Sequence, residues 1–199
     1  MSTKHLNTKA NLERDDCLQL AAVYELLSCL WLEELNIERL QALGSSELRQ
    51  AIESLGGSVP TEATVEMVET LAIDYCQLFI GPTEQLAPIQ SVYKTGQFQS
   101  PSAASCNRFY EMVSGYELKS TFPDHLGVQL GFMAFALNQA AHSESREAYL
   151  EIGTQFYDKH LGWTADYLDA VEAKATTDFY RGLARITRVF LNEDFNETK

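Results

Sequence analysis

The sequence predicts an all-α fold, a compact helical bundle of about eight or more helices. Three observations point there. Apolar residues recur at helical steps of three and four through most of the chain. No stretch alternates apolar and polar residues as a half-buried strand would. Glycine and proline pairs punctuate the periodic segments, as at Gly56-Gly57 and Gly81-Pro82. The 199 residues, 45% of them hydrophobic and 22% charged, suffice for one substantial core. A single helical domain over 1–199 is therefore expected.

The first helix is written in "LQLAAVYELLSCLWLEE", where Leu20, Val23, Tyr24, Leu27, Leu30 and Trp31 share one face. A second is predicted over Ile37 to Leu55, stopped by Gly56-Gly57. The third follows Pro60, with Thr61 as its cap and Glu62 favouring its positive end. Its stripe of Val65, Val68, Ala72, Tyr75 and Phe79 runs on to Gly81-Pro82. After a proline-bearing loop, Ser102 to Ser114 reads as a short helix closed by Gly115. "PDHLGVQLGFMAFALNQA" then places Pro123 in a first turn and Asp124 near a helix N-terminus. Its apolar residues lie on nearly every side, so this helix is expected at the centre of the core. Three more helices follow over Ser145–His160, Trp163–Ala175 and Asp178–Leu191, with a frayed tail "NEDFNETK". The connector "ELKSTFPDH" before the central helix suggests a hinge near 117–124, through which two copies could exchange helices as a swapped dimer.

The totals exclude several function classes. A net charge of −13 repels nucleic acid and favours a basic partner. No apolar run is long enough to span a membrane. "MSTKHLNTKANLERDD" lacks the apolar core of a secretory signal, which predicts a cytoplasmic protein. Cys17, Cys29, Cys76 and Cys106 form no CxxC pair, so reduced thiols are expected rather than disulfides or a zinc site. No nucleophile elbow, phosphate loop, dinucleotide fingerprint or HExxH occurs. Asp124-His125 is the one pair resembling an acid/base arrangement. Neighbours on a helix do not face each other, and a capping role for Asp124 accounts for the pair more simply. A small helical enzyme or nucleotide-binding protein using Asp124 and His125 is the alternative reading.

One segment resists a purely structural account. "GPTEQLAPIQSVY" is a loop that keeps Leu86, Pro88, Ile89, Val92 and Tyr93, although loops usually shed apolar residues. Stiffened by prolines, it could form a groove wall at little ordering cost and receive a short apolar peptide.

The segments "DYCQLFIGP" and "APIQSVY", with "FPDH" at 122–125, resemble the TorD/DmsD/NarJ family of molybdoenzyme chaperones, most nearly the branch serving trimethylamine N-oxide reductase. The similarity extends over most of the chain, from Val23-Tyr24 to "DFYRGLARITRVFL". It implies an all-helical cytoplasmic protein that is not an enzyme. It also implies binding to the twin-arginine signal peptide and the apo form of a molybdoenzyme, assisting molybdenum-cofactor insertion and preventing premature export. By motif, the implied peptide contacts are Tyr75, Leu78, Phe79, Gly81, Pro82, Pro88, Ser91, Tyr93, Asp124 and His125. The resemblance implies no resident cofactor, weak guanine-nucleotide binding and more than one oligomeric form. Tyr75, Ile89 and Tyr93 stand where other members carry tryptophan, which leaves the choice of signal peptide open. On this reading Phe79, Leu86, Pro88 and Val92 line the groove, while Asp124 and Glu84 take the arginines.

Overall fold

The computed structural model describes residues 12–98 and 100–196, and among these ten α-helices and one π-helical segment occur with no strand. In chain order they are α1 (Arg14–Leu32), α2 (Ile37–Leu43), α3 (Ser46–Ser54), α4 (Val65–Tyr75), the π segment Cys76–Ile80, α5 (Gln90–Thr95), α6 (Pro101–Glu111), α7 (Leu126–His142), α8 (Arg146–His160), α9 (Thr164–Lys174) and α10 (Asp178–Asn196). The predicted all-α class holds. The chain divides into two compact units. One comprises α1 with Pro88–Trp163 and the end of α10 from Asp194, the other Glu33–Ala87 with Thr164–Glu193. The 117–124 connector lies within the first unit.

In the first unit α7 is the axis, with thirteen of its residues buried, among them Leu126, Val128, Leu130, Phe132, Met133 and Leu137. It crosses α1 closely because two of its glycines face Ser28. A Cβ on Gly127 would sit 2.5 Å from Leu32 Cγ and 2.9 Å from the Ser28 carbonyl oxygen. Ser28 Oγ donates to the Gly127 carbonyl at 2.7 Å, so the crossing is hydrogen-bonded as well as tight. Around α7, Tyr110, Tyr116 and Phe156 stack on Phe132 with ring centroids 4.6–5.2 Å apart, a geometry that adds to area burial.

In the second unit α10 approaches Gly57 and Ser58 through Gly182, where a Cβ would meet the Ser58 nitrogen at 2.6 Å. Arg49 reaches across to the carbonyls of Val59 and Pro60, each at 2.7 Å. Asp74 is buried and caps α10 from outside. Its carboxylate accepts from the Thr177 N–H at 2.8 Å, the Thr177 hydroxyl at 2.6 Å and the Thr176 N–H at 3.1 Å.

Several boundaries differ from expectation, each for a local reason. The predicted Ile37–Leu55 helix breaks at Gly44-Ser45, where Gly-Ser-Ser offers weak helix propensity. Thr64, not Thr61, caps α4, its hydroxyl accepting the Met67 N–H at 3.2 Å. The helix predicted over Ser102–Ser114 runs instead over Pro101–Glu111, with Ser100 as cap and Pro101 in the first turn. Pro123 and Asp124 lie outside α7, which begins at Leu126 with His125 as its cap. The last helix extends to Asn196, through much of the predicted frayed tail; residues 197–199 lie outside the described residues.

Candidate functional site

The ten predicted peptide contacts fall into two sets, one in each unit: Pro88, Ser91, Tyr93, Asp124 and His125 in the first, Tyr75, Leu78, Phe79, Gly81 and Pro82 in the second.

In the first set the loop is not irregular. Gln90–Thr95 forms α5, too short for periodicity to reveal, and it ends at Gly96 with the left-handed φ of 70° that favours glycine. The helix is fastened to the residues before α7. Ile89 and His125 form an antiparallel bridge, with the Leu126 N–H donating to the Pro88 carbonyl at 2.7 Å and the Gln90 N–H to the Asp124 carbonyl at 3.0 Å. The Asp124 carboxylate accepts the Ser91 N–H at 2.8 Å. Asp124 therefore caps α5, satisfying two N–H groups that a helix start leaves unpaired. It is only 1% exposed. His125 Nδ1 accepts the Gly127 N–H at 3.0 Å, and burial lowers its pKa to about 4, so the ring is neutral.

A buried polar network continues inward. Gln129 Nε2 donates to Gln90 Oε1 at 2.8 Å, and Trp163 Nε1 donates to Gln129 Oε1 at 3.0 Å. His160 lies 3.3 Å from Gln90 Oε1 through Nδ1 and 3.1 Å from Ser105 Oγ through Nε2. Burial also lowers the His160 pKa to about 4, with Lys159 and Lys94 opposing protonation and Asp124 favouring it. Cys106 lies 3.4 Å from His160 Nδ1, and burial pushes its thiol up to about 12, which favours the unreactive neutral thiol. Tyr93 is half-buried against Trp163, with centroids 5.8 Å apart. Sequence reading missed Gln90, Gln129 and His160. The signal was a glutamine inside an otherwise apolar helix, since a buried amide demands partners.

In the second set, Leu78 and Phe79 are buried, Tyr75 and Gly81 are intermediate and Pro82 is exposed. The π segment closes with the Gly81 N–H donating to the Cys76 carbonyl at 2.7 Å, a widened turn often found at functional places. Phe79 meets Tyr75 edge-on at 5.1 Å and Tyr180 at 5.8 Å. On the outer side Ile73 is 58% and Ile80 62% exposed. Leu86, expected in the groove wall, donates its N–H to the Leu78 carbonyl at 2.6 Å, and its own carbonyl accepts from the Tyr167 hydroxyl at 2.9 Å. Among the described residues no cluster of three His, Cys, Asp or Glu could hold a metal, and no helix is long and apolar enough to cross a membrane.

A family model for the nitrate reductase delta subunit matches residues 41–168. The chain belongs to that family. Relatives named as TorD chaperones match over a wider span. The chain is 28% identical to "Chaperone protein TorD" of Shewanella loihica, with 87% of this chain and 90% of the relative aligned. It is 29% identical to the protein of that name from Shewanella oneidensis, covering 87% and 88%. "Chaperone protein YcdY" of Escherichia coli is 29% identical over 64% of each chain. Family members are chaperones, not enzymes, and the site agrees: the Asp124 carboxylate holds the Ser91 N–H and His125 holds the Gly127 N–H, each spent on a helix start. The enzyme reading of that pair is thereby set aside.

Proposed function

We propose that this protein is a cytoplasmic chaperone for the precursor of a molybdoenzyme. It holds the apo form and its twin-arginine signal peptide until the molybdenum cofactor is inserted, and so prevents premature export. The observation that carries this reading is the match to the TorD relatives along nearly their whole length. The resemblance of the sequence to the branch serving trimethylamine N-oxide reductase favours that enzyme as the client.

The site supports a peptide as ligand in a specific way. Buried members of the two sets (Leu78, Phe79, Pro88, Ser91, Asp124 and His125) act as scaffold. Ile73, Tyr75, Ile80, Gly81 and Pro82 offer accessible surface beside the buried members of the second set. A signal peptide brings an apolar stretch for such a surface and two guanidinium groups for an acidic one. The segment 117–124, largely exposed and tied by Lys119 to Glu25 at 2.6 Å, serves in this reading as the hinge of an exchanged dimer. Light scattering that finds only monomer at every concentration would remove that part. Calorimetric titration against the trimethylamine N-oxide reductase signal peptide tests the main proposal. A peptide with a polar core and a twin-lysine peptide serve as controls.

A further inference from the structure

Asp124 is 1% exposed and holds the Ser91 N–H, so carboxylates elsewhere are better placed to meet a cation from a partner. Fifteen Asp and Glu stand against six Lys and Arg in Glu33–Ala87 with Thr164–Glu193. Two adjacent carboxylates open this unit. Glu33 pairs with Arg39, whereas Glu34 is exposed and has no cation partner among the described residues. In the same unit, Tyr180 is 1% exposed and its hydroxyl has no hydrogen-bond partner. Native structures rarely leave a buried hydroxyl unpaired, so such a group calls for an absent partner. Its ring lies 6.0 Å from that of Tyr75, which is half-buried. Burial raises the pKa of both phenols, and the Glu34 charge raises each further, which puts its carboxylate within electrostatic reach of both hydroxyls. On the outer face Ile73, Cys76 and Ile80 are exposed.

Resting on the peptide-binding reading above, we infer that Glu34, the Tyr75 ring and the Tyr180 hydroxyl together seat one arginine of the partner peptide, with Ile73 and Ile80 receiving the apolar residues that accompany it. The chemistry fits arginine better than lysine. A guanidinium carries five N–H donors in a plane, so it can meet a carboxylate and a phenol oxygen at once while lying against a ring face. A lysine ammonium is a compact point charge and reaches these partners less well. The seat requires the half-buried Tyr75 side chain beside Tyr180 to turn and open a path to the hydroxyl.

The test titrates an Arg-Arg peptide with an apolar stretch, and its Lys-Lys counterpart, into the wild type, Glu34→Gln and Tyr180→Phe. Glu34→Gln weakens Arg-Arg binding about 2- to 5-fold at low salt, and the difference shrinks as salt rises. Tyr180→Phe weakens it about 10-fold. The same variant keeps or raises its melting temperature, because its hydroxyl has no partner in the free protein. Unchanged binding by both variants, while the wild type binds, overturns the arginine seat and leaves the chaperone reading standing. A clear fall in the Tyr180→Phe melting temperature also overturns it, as the hydroxyl would then be structural. If the wild type binds neither peptide, both proposals fall.

Discussion

Replacing Asp124 by alanine separates a structural from a ligand-contacting role more sharply than any other change. The carboxylate is 1% exposed and accepts the Ser91 N–H at 2.8 Å, at the start of α5. Removing it leaves that N–H buried without an acceptor and takes away a charge-assisted bond. Together these cost about 2–3 kcal/mol. In a chain of this length, about 2–4 °C of melting temperature is lost per kcal/mol. Asp124→Ala should therefore melt about 4–12 °C lower by calorimetry. Asp124→Asn, whose amide oxygen still accepts, should lose roughly half as much. Binding of a signal peptide, measured well below the melting point, should change little in either variant. Unchanged melting with binding abolished would refute the capping argument and make Asp124 a direct contact.

Other expectations follow from the same packing and titration arguments. Gly127→Ala should cost about 1–3 kcal/mol in urea unfolding, because its Cβ would meet Leu32 and the Ser28 carbonyl. Gly153→Ala, whose Cβ would lie 3.6 Å from that of Ala136, should be neutral or stabilising through helix propensity. His125 and His160, each held near a pKa of about 4, bind protons more weakly folded than unfolded. Their contribution is complete above pH about 6.5 and is lost as pH falls towards 4, at about 1.4 kcal/mol per pH unit for each ring. Unfolding midpoints at pH 7, 5.5 and 4.5 should show this slope, and His160→Asn should flatten it.

Much of this fold is written locally. The stripe in "LQLAAVYELLSCLWLEE" and the all-round apolar "LGVQLGFMAFAL" specify α1 and α7, because burial of such faces dominates helix stability. What could not be read was long-range polar pairing. Nothing near Asp124 in the chain announces that its partner is Ser91, thirty-three positions away. The "APIQSVY" and "FPDH" segments were recognisable separately, but their joining through the Ile89–His125 bridge depends on the tertiary fold. The loop's Ile89 keeps its apolar character because it is core, whereas the exposed apolar pair Ile73 and Ile80 belongs to a helix whose stripe reads as ordinary. Exposure within a periodic helix is set by what packs on it, which periodicity alone leaves open.

The most direct test of the chaperone assignment is isothermal titration of the wild-type protein with the trimethylamine N-oxide reductase signal peptide, beside its twin-lysine and polar-core versions. The account predicts saturable one-to-one binding of the native peptide, weaker binding of the twin-lysine form and the weakest for the polar core. Equal binding of all three, or none by any, would contradict it.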